Sequence, residues 1–279
     1  MRFGAPVLEK YNSPKEWVNI LKRRGYRAAN SPVREGDSEE LTAAYAKAAA
    51  EADIVIAEHG AWGRNCLDYD DTRRKAALEG CAQGLATADK LGAWCCVALS
   101  GSRADKWDAP HHDNFSEDTF ALAVDNIRFV IDAVRPKRAY FALEPMPWTL
   151  PYDADSQERL IKAVDRAAYG VHYDPVNLVC SPDTYYRSGW YMQDFVKRFG
   201  PKIRACHIKD VELIDAYVFQ LHERAPGEGT LDYPALFRAL DGLSPDLPIT
   251  TEHLPDQESF DRAERFIRAE ITRLGLRLR

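Results

Sequence analysis

The chain has 279 residues, long enough to bury a core without disulfide or metal staples. Its 43 acidic and 37 basic side chains leave a net charge of −6, which argues against a nucleic-acid-binding role, whose usual footprint is basic. A 46% hydrophobic share against 29% charged excludes wholesale disorder, and no apolar run approaches the roughly 18 residues of a membrane span.

Eight short apolar runs, rich in β-branched or aromatic residues, read as strands over 2–8, 25–32, 54–58, 93–100, 139–144, 170–174, 203–209 and 247–252. The segments between them read as helices over 13–24, 38–52, 70–91, 116–134, 156–168, 191–199, 233–240 and 256–274. Ser13-Pro14 is a helix start signal, and Phe120, Val124, Ile127 and Ile131 form one apolar face of the fourth helix. Strand then helix, eight times, predicts an α/β chain folded as a (β/α)8 TIM barrel, one domain over 1–279. A doubly wound nucleotide fold is weakened because no GxGxxG follows an early strand, and Gly227-Glu228-Gly229 is a lone GxG. The opening segment has no basic flank ahead of an apolar run, so no leader is expected and a cytoplasmic protein is. Cys66, Cys81, Cys95, Cys96, Cys180 and Cys206 form no CxxC pair and are expected to be reduced thiols.

Barrel active sites lie at the carboxyl ends of the strands. Strands five to eight end on Glu144, on Asp174, on His207 and on Glu252. Side chains at i and i+2 share a face, so Ala142 with Glu144, His207 with Lys209, and Thr250 with Glu252 point into the lumen. Three carboxylates and an imidazole without thiolate suit one divalent ion: Mn²⁺, Mg²⁺, Co²⁺ or Zn²⁺. His172 shares the face of Asp174 one step deeper, and Lys209 lies just past His207; both are expected to serve the substrate. His59, beside Gly60-Ala61-Trp62-Gly63, reads as part of a mouth loop in contact with substrate. Trp62, Trp107, Trp148, Tyr152 and Tyr185 crowd the same rim, where aromatic faces pack against sugar rings, and Trp62 and Trp148 are taken as substrate contacts. His111, His112 and His222 read as loop residues.

With these residues the chain resembles the xylose isomerase-like superfamily of sugar phosphate isomerases and epimerases. The resemblance is carried by Leu143-Glu144-Pro145, Tyr173-Asp174-Pro175-Val176-Asn177, Cys206-His207-Ile208-Lys209-Asp210, the run Gly227 to Tyr233, and Thr251-Glu252-His253. It implies that Glu144, Asp174, His207 and Glu252 hold one divalent ion, Mn²⁺ foremost, and that Glu144 and Glu252 flank the substrate and move protons. The implied activity is isomerisation or epimerisation of a sugar, keto-sugar or inosose. The route is proton abstraction next to a carbonyl, through an enediolate that the ion stabilises. A lyase using the same first step, such as a dehydratase or a C-glycoside deglycosidase subunit, is the alternative. The implied partners are a small sugar or cyclitol and further subunits, a homo-oligomer or a hetero-oligomer, with no nucleic acid and no membrane. The chain departs from ketohexose 3-epimerases at Asn177, where those enzymes carry a substrate-binding His, and at Leu213, where they carry an Arg. These departures count against a plain ketohexose 3-epimerase, and Asn177 is kept as an expected substrate contact.

Overall fold

The computed structural model describes residues 1–279. The chain opens with β1 (Arg2–Gly4), α1 (Pro14–Arg23), β2 (Ala28–Ala29), α2 (Glu39–Glu51), β3 (Val55–Ile56) and β4 (Glu58–Gly60). It continues through α3 (Asp71–Leu91), β5 (Cys95–Ala98), α4 (Glu117–Val134), β6 (Tyr140–Leu143), α5 (Ala154–Val164) and β7 (Tyr169–Tyr173). Then come α6 (Pro182–Tyr186), α7 (Ser188–Phe199), β8 (Ile203–Ile208), β9 (Asp210–Leu213), β10 (Leu221–Arg224), α8 (Tyr233–Asp241), β11 (Pro248–Thr251) and α9 (Gln257–Arg273).

Residues 31–47 with 56–172 form one compact unit. Inside it β4, β5, β6 and β7 run parallel in that order. Register partners Glu58↔Cys95, Val97↔Ala142 and Leu143↔Val171 align their carboxyl ends. Helices α3 and α4 pack together behind the strands. Asp70 caps α3 by accepting from the Arg73 N–H at 2.8 Å, and such caps are worth about 1 kcal/mol. Helix α5 starts two residues earlier than the sequence reading because Asp153 and Ser156 form a reciprocal capping box.

Residues 1–30, 48–55 and 173–279 form the second unit. Here β1, β11 and β8 are parallel neighbours, with Gly4↔Thr250 and Thr250↔His207 in register. Helix α8 packs on α7 and α9. Strand β1 stops at Gly4, short of the expected 2–8, since Pro6 has no N–H to donate to a ladder. Gly4 itself is required: a Cβ there would lie 2.0 Å from the Ala28 carbonyl oxygen.

Two features escaped the sequence reading. The stretch after β8 is an antiparallel hairpin, β9 with β10, rather than a loop. Its charged sequence and seven-residue connection lack the Asn-Gly or Asp-Gly turn that announces a hairpin. His222 thus sits on β10, paired with Glu212. Helix α6, started by the Ser181 cap and Pro182, is only five residues long and carries Tyr185, which the sequence reading left in a loop. All six cysteines are free thiols, and no helix is long and apolar enough to cross a membrane.

Candidate metal centre

The second unit brings Asp174, His207 and Glu252 together. Asp174 follows β7, His207 lies near the end of β8, and Glu252 follows β11. The Thr250↔His207 register and the two-residue alternation along β11 turn Glu252 toward His207. His207 Nδ1 lies 2.8 Å from Glu252 Oε1 and 3.8 Å from Asp174 Oδ2. One donor atom from each of the three is within 4.8 Å of the others. Asp174 and His207 are fully buried, and the Glu252 side chain is 16% exposed. Asp174 Oδ1 accepts the Val176 and Asn177 N–H groups at 3.0 and 3.1 Å, which orients Oδ2 toward the cluster. Hard carboxylate oxygens beside a borderline imidazole, with no sulfur among them, are the donors a divalent ion of the Mg²⁺ or Mn²⁺ kind takes. The residues present therefore fit such an ion.

Lys209, called a substrate contact from sequence, has its ammonium on these same carboxylates. Nζ lies 2.7 Å from Asp174 Oδ2 and 2.6 Å from Glu252 Oε1, within ion-pair distance of both. Burial on its own would raise the pKa of Asp174, but Lys209 and His207 outweigh it and hold the carboxyl well below the usual range. Burial is likewise overcome at Glu252, chiefly by His207 and then Lys209, and its pKa falls to about 2. Both side chains are anionic at neutral pH.

The run Gly227 to Tyr233, whose GxG counted for little as a nucleotide motif, fixes the backbone under this cluster. Asp210, 1% exposed, accepts N–H groups from Val211, Gly227, Gly229 and Leu231 at 2.8–3.0 Å. A Cβ on Gly229 would meet Asp210 Oδ1 at 2.4 Å, so this position admits only glycine. The Tyr233 hydroxyl donates to the Lys209 carbonyl at 2.7 Å, and the Tyr185 hydroxyl accepts the Leu213 N–H at 3.1 Å. Replacing Asp210 by Ala strands the buried N–H groups of Val211 and Leu231, each costing about 1–3 kcal/mol, and frees those of Gly227 and Gly229 nearer the surface. A loss of about 3 kcal/mol or more in urea unfolding is expected; a change within about 0.5 kcal/mol, the scale of an ordinary surface substitution, would show the loop holds without it.

In the first unit Glu144 is buried just past β6, its N–H donating to Ala98 O at 3.0 Å. His172 is fully buried on β7, with Nε2 2.8 Å from Glu58 Oε2. Glu58 was assigned no role from sequence, although its alternation with Ile56 placed an acid on the same face as that apolar side chain. His59 sits on β4, not on a loop. Its Nδ1 is 2.9 Å from Ser31 Oγ, its Cδ2 lies by Gly84 of α3, and burial lowers its pKa. The side chain faces the helix layer because it is one residue out of phase with Glu58. Trp62 is 42% exposed, its ring centroid 6.4 Å from Trp107. Trp148 donates Nε1–H to Asp108 O at 2.7 Å, which anchors its ring to that loop. His111 caps a short 3-10 turn that also holds His112. Asn177 is half-buried beside Asp174 in the second unit.

Comparison with known proteins gives the family. The family model described as xylose isomerase-like TIM barrel matches residues 18–270. A D-psicose 3-epimerase from Clostridium cellulolyticum H10, solved with D-tagatose, is 15% identical with a TM-score of 0.71, covering 99% of this chain and 98% of that one. The 3-keto-D-glucoside 4-epimerase of E. coli, apo form, is 15% identical at a TM-score of 0.66, covering 99% of both chains. A xylose isomerase-like TIM barrel protein from Mycobacterium smegmatis in complex with magnesium is 16% identical at 0.66, over 94% of this chain and 90% of that one. No curated protein sequence matches the chain. At these identities the solved structures speak for the fold, and the family model, spanning nearly the whole chain, speaks for membership. The chain is an α/β protein of the (β/α)8 class and belongs to the xylose isomerase-like TIM barrel family.

Proposed function

We propose that this chain is a divalent-metal-dependent isomerase or epimerase of a sugar, keto-sugar or inosose. The observation that carries the reading is the convergence of Asp174 Oδ2, His207 Nδ1 and Glu252 Oε1. Glu144, which ends its own strand as a buried carboxylate, is the proposed fourth ligand. Epimerases and a magnesium-bound protein among the structural relatives support the choice of chemistry.

A divalent ion at these residues supplies Lewis acidity to a substrate carbonyl and its neighbouring hydroxyl. Glu252 or Glu144, as carboxylate, would take the proton from the adjacent carbon, and the other, entering the step as its protonated acid, would give its proton to the opposite face or to the next carbon. General-base assistance of this kind contributes about 10²–10⁴ in rate. Glu252 is in its proton-accepting form at neutral pH, while the lowered pKa of about 2 weakens it as a base. Trp62, Trp148, Asn177 and the His172–Glu58 pair are the proposed substrate-contacting groups. His59 is dropped from that set, since it faces α3.

The test is a panel of keto-sugars, inososes and 3-keto-glycosides with Mn²⁺ in D₂O, followed by proton NMR. Deuterium should enter at a carbon next to the carbonyl of at least one substrate, and chelation should stop it. Exchange that persists after verified metal removal would contradict the reading. The product seen in the same spectra separates an epimer from a dehydrated lyase product.

A further inference from the structure

Lys209 is the most deeply buried lysine near the cluster, at 2% exposure, and it holds oxygens that the ion also needs. We infer that Lys209 is an internal cation that competes with the divalent ion for Asp174 and Glu252, and that binding of the ion passes its ammonium to Glu223. This rests on the metal-dependent reading above.

The oxygens are the same ones. Asp174 spends Oδ1 on two backbone N–H groups, so Oδ2 is left for any cation, and Lys209 Nζ is 2.7 Å from it. Glu252 Oε1 faces His207 Nδ1 at 2.8 Å and Lys209 Nζ at 2.6 Å. An ammonium and a divalent ion on shared oxygens would stand about 3 Å apart, where like charges repel strongly in a buried site. One of them must leave. The lysine backbone is pinned, since its carbonyl accepts the Tyr233 hydroxyl, so movement falls on the flexible stem. A seat is ready: Glu223 Oε2, on β10, is already 3.5 Å from Nζ and is 37% exposed in its side chain. Glu223 is shared with His253, whose Nδ1 lies 3.1 Å from Oε1 and 3.3 Å from Oε2, so the lysine would join a carboxylate that this imidazole already touches. The ammonium offsets one of the two acidic charges beside the imidazole before any ion arrives, and the ion binds more weakly than its bare ligand set allows.

The test is Mn²⁺ titration calorimetry on the whole chain. Lys209→Met, which keeps the stem and removes the charge, should bind Mn²⁺ at least about tenfold more tightly than the unaltered chain. Without Mn²⁺ its urea midpoint should fall, and added Mn²⁺ should raise that midpoint more than it does for the unaltered chain. Equal or weaker Mn²⁺ binding by Lys209→Met would overturn the inference and leave the metal-dependent reading standing. If Lys209→Met does not fold, Glu223→Gln decides. With the second seat weakened, Mn²⁺ affinity should drop several-fold, and an unchanged affinity overturns the inference. Absence of Mn²⁺ binding by the unaltered chain would overturn both.

Discussion

Glu252→Gln is expected to lower deuterium exchange at the substrate carbon by about 10²–10⁴-fold, the contribution of a positioned general base. Glutamine keeps the shape and one oxygen donor, so the variant tests proton transfer more than architecture. The exchange should therefore be measured with Mn²⁺ in excess and the bound metal counted. The side chain is held as an anion in the folded chain, with its pKa lowered to about 2, by His207 and Lys209 against the cost of burial. An amide cannot take that proton at any pH. Exchange close to that of the unaltered chain would remove Glu252 from the reaction and leave Glu144 as the base to test.

His207→Ala is expected to cut metal occupancy at least about 100-fold, beyond what changes to outer-shell partners typically cost. The ring is fully buried, and its Nδ1 is 2.8 Å from one proposed ligand oxygen and 3.8 Å from another. The substitution removes the only nitrogen donor of the proposed set and opens a cavity between two acids. Elemental analysis after gel filtration reads the result. Full occupancy would mean that another side chain is the ligand. The retained carboxylates lose a lowering influence at the same time, so the folded pKa values of Asp174 and Glu252 should move up toward their ordinary values.

The convergence of Asp174, His207 and Glu252 was legible because strand alternation is a strict period of two. Once His207 is placed in the lumen, Lys209 must follow it, and Glu252 must follow Thr250. The same rule was misapplied at His59. The sequence reading ended the third strand at Glu58 and treated His59 as loop, whereas β4 runs through Glu58–Gly60 and turns His59 toward α3. The rule also sets Glu58 on one face with Ile56, while its contact with His172 is visible only in the folded chain. Other features lie beyond any local period. The hairpin of β9 and β10 pairs residues across a connection with no turn signature. The pairing of Lys209 with Asp174 and Glu252 joins three separate strand ends, and a sequence can say that each faces inward but not which reaches which. The capture of four N–H groups by Asp210 is likewise visible only in the folded chain. It gives the Gly-Glu-Gly run a physical purpose that its resemblance to a nucleotide motif concealed.

The central claim is tested most directly by diffraction from crystals grown with Mn²⁺, with an anomalous map recorded at the manganese edge. A single peak about 2.0–2.3 Å from Asp174, His207, Glu252 and Glu144 is predicted, with the Lys209 ammonium displaced from the first and third of these toward Glu223. A map with no manganese at those side chains, or with manganese bound elsewhere while Lys209 keeps both carboxylates, would contradict it.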